Sequence, residues 1–491
     1  MLHIGGNVKI LLLNPPMHYG AYNDAGRLYV DKSYPPLGLG YIAAVLEKEG
    51  YDVKLIDMID TSFEDAEKIL RREKPQVVGI SCNLTDFRWG AFKLAQIAKT
   101  VDPDVVVVLG GSHATHLYKQ ILENFPVDII VRFEGEFAFL EVVKGLETGF
   151  SLNAIKGIAY RDKEGAVITE DRPAIADLDS LPFPAYHFFD FDQYVHYSSP
   201  VKFKGKNVSE LKSSNMMASR GCPYNCNYCS IATFWHSCRF RTIDNVVDEI
   251  QYLRDRFAVT HFNFFDDAFT LNKIRVEKIC QEIIRRKLDI SWECVTRVDF
   301  VSDDMLEWMK KAGCLSISYG VESGSPTVLK AVNKKQTLAQ IIRAFQMTHK
   351  HGILAYILLM VGNPNESDHS IDETIDMLRI IKPDKIRTTL TMVYPATDLY
   401  ITCKEKRLID DEYWLTEKAA PIYTAENSVS QLQKWESRIV FSYYMQRRKI
   451  IKLFKIIFYR AVFKNLREIA RRLGRSVDEK MEKIDHMLHS T

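Results

Sequence analysis

The stretch Ala218-Ser219-Arg220-Gly221-Cys222-Pro223-Tyr224-Asn225-Cys226-Asn227-Tyr228-Cys229 holds three of the nine cysteines of this 491-residue chain, in C-x3-C-x2-C spacing. Glycine, proline and asparagine favour turns, so the segment can curl until its three sulfurs point inward, which a regular helix or strand would not permit. A cubic iron–sulfur cluster normally takes four thiolates, and three thiolates leave one iron open to another ligand. The spacing therefore predicts a cluster with one open iron.

A structural zinc site is an alternative interpretation of the same cysteines, as is plain burial of small apolar side chains. A closed zinc site needs a fourth ligand, which His236 or Cys238 just downstream could supply. The usual zinc pattern is two spaced pairs of ligands and not a triplet, so the spacing favours the cluster.

With Tyr228 immediately before the third cysteine, the motif resembles the signature of the radical S-adenosylmethionine (SAM) superfamily. The resemblance implies that Cys222, Cys226 and Cys229 ligate a [4Fe-4S] cluster. It also implies that the open iron binds the amino and carboxylate groups of SAM, and that one electron from the cluster cleaves SAM to a 5′-deoxyadenosyl radical. An electron donor such as flavodoxin or ferredoxin is then an implied partner.

Length and charge limit the other possibilities. The chain is long enough for two or three domains with full hydrophobic cores. A net charge of +2, from 65 basic and 63 acidic residues, gives no global attraction to nucleic acid, so we expect no such partner. We recognise no secretory signal before Lys9, and cysteines without an even framework suit a reducing compartment, so we expect a cytoplasmic protein.

Residues 1–150 repeat a β-α unit. Apolar strand patterns such as Val77 to Ser81 and Val105 to Leu109 are separated by amphipathic helical patterns such as Trp89 to Lys99. This order predicts a doubly wound, Rossmann-like α/β domain with its ligand crevice at the carboxyl ends of parallel strands.

An α/β domain ahead of a radical SAM loop resembles the cobalamin-binding module of the cobalamin-dependent radical SAM group. The resemblance implies that Ser81 and Gly110-Gly111 let backbone approach cobalamin, with Thr115 and Glu134-Gly135-Glu136 close by. A double glycine alone is equally typical of a tight turn. The D-x-H-x-x-G motif that supplies a cobalt-ligating histidine elsewhere is absent, and we interpret His18 as a loop residue, so we expect cobalamin without a histidine lower ligand.

Residues 151–210 predict a hairpin followed by an extended linker that contains Leu181-Pro182-Phe183-Pro184. From residue 211 to 405 strand and helix patterns alternate again over six units. Such an alternation predicts a partial (β/α)6 TIM barrel whose active site lies at the carboxyl ends of its strands.

Polar residues at these strand ends resemble the SAM-contacting positions of the family. By that match Asp266 and Asp267 contact the methionine amino group, Arg297 and Glu322 lie where the carboxylate and ribose are held, and Gly362 to Pro364 lie near the adenine. Taken singly, each has a simpler explanation as a helix cap, a surface ion pair or a turn. No residue is assigned a catalytic role.

The other cysteines are scattered singly and are predicted to be packing residues, apart from Cys82, which follows Ser81 at a strand end that we expect to face cobalamin. Residues 406–491 are predicted to be helical. Arg447 to Arg475 carries eleven Lys or Arg against one acid, interleaved with apolar residues. A basic amphipathic helix of this kind either lies peripherally on a membrane or packs on the barrel with a solvated face.

These resemblances imply a cobalamin-dependent radical SAM methyltransferase that acts on an unactivated carbon of a small molecule, which would be lipophilic if the 447–475 segment meets a membrane. A second hypothesis is an oxidative cyclase like the anaerobic ring cyclase of bacteriochlorophyll synthesis, without methyl transfer. A third, from another class, is a non-catalytic metal-binding protein. A methylthiotransferase acting on transfer RNA is disfavoured, because we find no N-terminal cysteine trio and no basic, β-rich nucleic-acid module at the C-terminus.

Overall fold

The first domain is built on a seven-stranded sheet with the strand order β2-β1-β3-β4-β5-β6-β7. The computed structural model describes residues 8–16, 34–58, 61–83, 85–194, 201–235 and 237–446. The strands of the first sheet are β1 (Lys9–Asn14), β2 (Asp52–Asp57), β3 (Val77–Ser81), β4 (Val106–Gly110), β5 (Ile129–Val131), β6 (Ile158–Arg161) and β7 (Ala166–Ile168). Strands β1 to β5 are parallel, and β6 and β7 add antiparallel strands at one edge.

Helices cover both faces of this sheet. They are α1 (Leu37–Lys48), α2 (Phe63–Glu73), α3 (Arg88–Val101), α4 (Ser112–His116), α5 (Tyr118–Asn124) and α6 (Glu136–Thr148). Helices α1 and α6 bury apolar residues against one face of the sheet, and α2, α3 and α5 bury theirs against the other. The predicted doubly wound domain is therefore confirmed.

The predicted hairpin is present and continues the first sheet, which thus extends to Ile168. The predicted linker that follows is not a loose connection. Its aromatic side chains Tyr186, Phe189 and Tyr194 are buried between the two domains, and the hydroxyl of Tyr194 donates a hydrogen bond to Asp57 of β2 at 2.8 Å. The linker therefore belongs to the interface that joins the two sheets.

The second domain contains a six-stranded, fully parallel sheet in the order β10-β13-β14-β15-β16-β17, which confirms the predicted partial barrel. Its strands and the short ribbons beside it are β8 (Lys202–Phe203), β9 (Lys206–Asn207), β10 (Ser213–Met216), β11 (Ser219–Arg220), β12 (Arg239–Phe240), β13 (His261–Phe264), β14 (Ser291–Thr296), β15 (Cys314–Glu322), β16 (Leu354–Val361) and β17 (Lys385–Leu390). The helices of this region are α7 (Ile231–Trp235), α8 (Ile243–Phe257), α9 (Lys273–Arg285), α10 (Asp303–Lys311), α11 (Pro326–Ala331), α12 (Leu338–Lys350) and α13 (Asp368–Ile381).

Beyond β17 the chain forms α14 (Asp398–Glu405) and α15 (Val429–Gln446). Helix α15 packs on β17 and α13, with Trp435, Ile439 and Tyr443 buried. The segment between the two helices contains only one short 3-10 helix, Asp411–Leu415, so this part of the predicted helical C-terminal region is mostly irregular.

Candidate functional site

The cysteine loop, residues 221–230, lies between β11 and α7 at the carboxyl end of β10. Gly221 has a φ of +88°, and a Cβ at this position would overlap the carbonyl oxygen of Ser237, so the loop begins at a turn that only glycine fits. The amide of Cys229 donates to the carbonyl of Cys226 at 3.0 Å, which tightens the second half of the loop. The backbone therefore turns sharply at the start of the loop that carries the three thiols.

Burial raises the pKa of the Cys222 thiol, and it raises the pKa of Cys229 to about 12. Neutral thiols become thiolates when a cation compensates the lost solvation, so a partly buried set of three soft ligands fits an iron–sulfur cluster. Cys238 lies close enough for the charge of Cys222 to contribute to its own raised pKa of about 11, although burial is the larger cause. In the described part of the chain, no three Cys, His, Asp or Glu side chains stand close enough to share a single metal ion.

Two aspartates at the carboxyl end of β13 hold the backbone that leads into this loop. Asp266 accepts hydrogen bonds from the amide of Ala218 at 3.0 Å and from the hydroxyl of Ser219. Asp267 accepts from the amide of Gly221 at 3.1 Å, and burial raises its pKa to about 6. The predicted contact of these carboxylates with SAM stays a prediction, since the bonds seen here are to the loop itself.

Arg297 and Glu322 both contact Lys334, a residue that sequence analysis missed. The guanidinium of Arg297 lies 3.6 Å from the ring centroid of Tyr224 and donates to the Lys334 carbonyl at 2.7 Å. Glu322, in a left-handed conformation with φ of +72°, forms a buried ion pair with the Lys334 ammonium at 2.7 Å. The same ammonium lies 3.3 Å from the hydroxyl of Tyr228. The structure thus gathers these charges beside the two tyrosines of the cysteine loop.

Gly362 follows β16 with a φ of +94°, and its amide donates to the buried carboxyl of Glu366. Burial raises the pKa of Glu366 to about 7. Leu432 of α15 packs directly against Gly362, at 2.7 Å from where a Cβ would be. The predicted adenine loop is therefore braced by one acid and one C-terminal helix, and sequence analysis identified neither.

The strand ends of the first domain place Ser81 and Gly110 side by side in register. Gly111 has a φ of +109°, and a Cβ there would lie 2.7 Å from the Cα of Asn83, so only a bare backbone fits between these two loops. Thr115 accepts a hydrogen bond from the amide of Phe133 at 2.9 Å and so ties the loop after β4 to the loop after β5. These loops line the crevice with backbone. This arrangement fits the close approach that a corrin and its nucleotide tail require.

Cys82 is 2% exposed and is enclosed in the apolar core, with its pKa raised to about 12 by burial. The expectation that it faces the crevice is wrong, and it is a packing residue like the other scattered cysteines.

Glu134 and Glu136 are engaged in a buried ionic cluster that joins the two domains. The guanidinium of Arg220, two residues before Cys222, donates to Glu134 at 2.6 Å and to Glu136 at 2.7 Å. Arg239, paired with Arg220 across the β11–β12 ribbon, also donates to Glu134, at 2.7 Å. Gly135 between the acids is the N-cap of α6, and a Cβ at this position would lie 3.1 Å from the Cδ1 of Ile42. The four charges balance, and they fasten the cysteine loop to the first domain.

The C-terminal region also reaches the first domain. Arg88 of α3 is 1% exposed and donates to the carbonyls of Trp414, Thr416 and Lys418, at 3.1, 2.6 and 2.7 Å. The carboxylate of Asp86 accepts a hydrogen bond from the hydroxyl of Tyr394 at 3.2 Å. Residues 414–418 therefore form a cap beside the strand ends of the first domain, which the sequence pattern did not indicate.

His18, His236 and the segment from Arg447 to Arg475 lie outside the described residues, so the interpretations placed on them stay predictions. Within the ranges that the structure describes, none of the helices combines the length and apolar character needed to span a bilayer.

Comparison with known proteins gives two family matches. Residues 216–378 match the model of the radical SAM superfamily, and residues 26–143 match that of the B12 binding domain. An uncharacterized methyltransferase, PH0819, from Pyrococcus horikoshii is 31% identical over 451 residues, which cover 91% of this chain and 94% of the relative. The anaerobic magnesium-protoporphyrin IX monomethyl ester cyclase of Rubrivivax gelatinosus is 32% identical over 403 residues, covering 80% of this chain and 69% of the cyclase.

Among solved structures, the radical SAM methyltransferase TsrM from Kitasatospora setae, with cobalamin and a [4Fe-4S] cluster bound, superposes with a TM-score of 0.66. The alignment covers 82% of this chain and 75% of TsrM at 18% identity, and it shows that the two chains share a fold.

Proposed function

The chain belongs to the cobalamin-dependent radical SAM methyltransferase family, and from that premise we propose that it transfers a methyl group to an unactivated carbon of a small-molecule substrate. The observation that carries this proposal is the match over 94% of a relative that is named a methyltransferase. The alignment spans both domains, so it includes the cysteine loop as well as the crevice of the first domain.

The cofactors of the family have residues to hold them in this chain. Cys222, Cys226 and Cys229 would ligate the [4Fe-4S] cluster, and the backbone around Ser81, Gly110 and Gly111 would receive cobalamin. When bound, these groups and SAM supply the radical chemistry at the substrate carbon and the methyl group that it receives.

The protein's own part is to hold these groups in line and to keep water out. Asp266 and Asp267 fix the approach to the cysteine loop through its backbone amides. Arg220 fixes the same loop to Glu134 and Glu136 of the first domain. Arg297 and the Glu322–Lys334 pair lie beside the loop, where we propose that they contact the carboxylate and ribose of SAM.

An oxidative cyclisation without methyl transfer is the second candidate, because the cyclase of Rubrivivax gelatinosus is 32% identical over its shorter alignment, against 31% for the methyltransferase relative. Both candidates need SAM cleavage, and they differ in their by-products. Methyl transfer consumes an additional SAM and yields S-adenosylhomocysteine, whereas cyclisation by hydrogen abstraction yields 5′-deoxyadenosine alone.

The experiment is anaerobic turnover of the reconstituted protein with cobalamin, SAM and a reductant, with both by-products quantified by mass spectrometry. Methyl transfer predicts S-adenosylhomocysteine and 5′-deoxyadenosine in equal amounts when substrate is present. Labelled methyl SAM should leave its label in the product. Formation of 5′-deoxyadenosine with unlabelled product would favour the cyclase-type reaction.

Two partner assignments accompany this proposal. We propose that a small electron-transfer protein such as flavodoxin or ferredoxin reduces the cluster. We also propose, from the basic amphipathic pattern alone, that residues 447–475 contact an anionic membrane surface.

A further inference from the structure

Helices cover one face of the barrel sheet and leave the other face open. The side-chain contacts of β17 distinguish the two faces. The hydroxyl of Thr388 donates to Glu436 of α15 at 2.9 Å, so Thr388 lies on the outer, helix-covered face. Successive side chains of a strand point to opposite faces. Arg387 and Thr389 therefore lie on the inner face, and both are exposed.

The same reasoning places apolar residues on the inner face. Trp292 of β14 donates to the carbonyl of Ala312 in the outer layer at 2.8 Å, which puts Val295 on the inner side. Val295 is 39% exposed, and Phe265, directly after β13, is 43% exposed. A barrel interior is normally filled by its own side chains, so exposed apolar residues here mark a surface that another molecule covers.

Strands β15 and β16 lie between these apolar residues and Arg387, and β15 contributes Ser318, which pairs with Val295, and Gly320, which pairs with Leu358. In the register of the parallel sheet Leu358 pairs with Arg387 and Met360 pairs with Thr389. Both β16 side chains are half-buried. The inner face thus runs from Phe265 and Val295 on one side, over Leu358 and Met360, to a cation on the edge strand.

The charge on this face is positive at the β17 edge. Arg387 forms no ion pair with any residue that the structure describes. Lys385, two residues earlier on the same face, lies 5.9 Å from the ring centroid of Tyr356 and adds a second cation. Two carboxylates reach this face. Glu293 accepts a hydrogen bond from Ser316 at 2.9 Å and lies three strands away on β14, about 14 Å from β17. Glu322 lies over Gly320 of β15 and is paired there with the ammonium of Lys334 at 2.7 Å.

We propose that this inner face binds the substrate, and that the substrate is an amphipathic organic anion. Its apolar body would cover Phe265, Val295, Leu358 and Met360, and its carboxylate or phosphate group would meet Arg387. This inference rests on the proposed function, since it names the class of molecule that the barrel acts on. Arg387 lies three residues, about 10 Å, before the end of β17, so the anionic group sits about that far below the barrel mouth, where the cysteine loop lies.

The test is a binding measurement that needs no turnover. The full chain, reconstituted with cluster and cobalamin, is titrated by calorimetry with octanoate, octyl phosphate and 1-octanol, which share one apolar chain and differ in the head group. The variants are Arg387→Gln and, as a matched control, Arg343→Gln, an exposed arginine on α12 in the outer layer. A further variant, Val295→Trp, fills the inner face without changing its charge.

We expect the wild-type protein to bind at least one anionic probe about tenfold more tightly than 1-octanol, equivalent to about 1.4 kcal/mol. Arg387→Gln should remove that preference, Arg343→Gln should keep it, and Val295→Trp should weaken all three probes. The stronger of octanoate and octyl phosphate identifies the anion as a carboxylate or a phosphate. Equal binding of all three probes, binding of none, or a preference that survives Arg387→Gln would overturn the inference.

These outcomes are separate from those of the turnover assay. A protein that shows the anionic preference and transfers no methyl group would retain the inference about the site while the proposed reaction fails. A protein that transfers methyl groups and shows no anionic preference would retain the proposed reaction while the inference about the site fails.

Discussion

Replacement of Arg220 by methionine should destabilise the protein by about 3–5 kcal/mol, the usual cost of breaking a buried ion pair from one side. The side chains of Arg220, Glu134 and Glu136 are each only 6% exposed. Without Arg220, Glu134 keeps its hydrogen bond to Arg239. Glu136 would keep no hydrogen-bond partner among the described residues, because Arg220 binds its Oε1 and its Oε2 is buried without a partner. A stranded carboxylate, and not lost packing, is the main cost.

That reasoning predicts a rescue. Adding Glu136→Gln to the Arg220→Met protein removes the stranded charge, so the double variant should recover at least half of the lost unfolding free energy. Arg438→Met is the matched control, because Arg438 makes two ion pairs with exposed partners, Asp368 and Asp372. Exposed ion pairs contribute about 0–1 kcal/mol, so the loss of unfolding free energy in Arg438→Met should lie within that range.

The assay is urea unfolding of the four proteins under anaerobic conditions, followed by far-ultraviolet circular dichroism and by intrinsic fluorescence. Two probes are needed because a two-domain chain can unfold in more than one step. Arg220 joins the domains, so its loss should also separate their transitions. A cost of Arg220→Met below 1 kcal/mol, or a double variant less stable than the single one, would refute the assignment of this cluster as a stabilising clamp.

Three further predictions concern the cofactor sites and the barrel, and a fourth concerns the C-terminal segment. Alanine at any one of the cluster ligands should abolish the broad brown absorbance of the reconstituted protein and its SAM cleavage; these are Cys222, Cys226 and Cys229. Gly111→Ala should lower cobalamin binding measured by absorbance and should destabilise the protein, since its Cβ would meet the backbone of Asn83, whereas Gly110→Ala should lower cobalamin binding and leave stability unchanged, because its nearest protein neighbour is a carbonyl oxygen at an ordinary 3.5 Å. Burial raises the pKa of Glu366 from its ordinary 4.5 to about 7, so the stability that this protonated group contributes is present below pH 4.5 and is lost as pH rises through 7. Relative to the wild type, the unfolding free energy of Glu366→Gln should therefore increase by up to ~3 kcal/mol between pH 5 and 8. Unfolding free energies of the two proteins that change in parallel with pH would contradict this. The intact chain should sediment with anionic liposomes at low salt, and a chain that ends at Gln446, which keeps α15 whole, should not.

The fold followed from the sequence because its signals are local and periodic. Strands such as β3 and β16 are apolar runs, and the helices between them carry one apolar face, so the order of strands and helices could be predicted in the two sheets, but not in the irregular segment between α14 and α15. The sequence alone predicts a helix from Tyr41 to Glu49, whereas α1 begins four residues earlier, at Leu37, because Pro36, Gly38 and Gly40 are poor helix formers and mask the first turn. Such differences at element ends do not change the topology.

The site was only partly predictable, because a motif identifies residue types and not their partners. The cysteine triplet was visible as spacing, and Glu134 and Glu136 were visible as polar residues at a strand end. Their partner Arg220 is more than 80 residues away in the chain, and nothing in the sequence pairs them. Lys334 was missed for a related reason, since burial of a lysine beside an acid depends on the packed barrel.

The described contacts explain how one loop is positioned with respect to both sheets at once. From the barrel side, Asp266 and Asp267 bind backbone amides on either side of Arg220. From the first domain, Glu134 and Glu136 bind the Arg220 side chain. A loop held by its backbone from one domain and by a buried guanidinium from the other cannot shift toward either sheet without stretching one set of bonds. Because reactions between bound groups lose rate steeply with displacements of about 1 Å, this double attachment is what a chain with one cofactor in each domain requires.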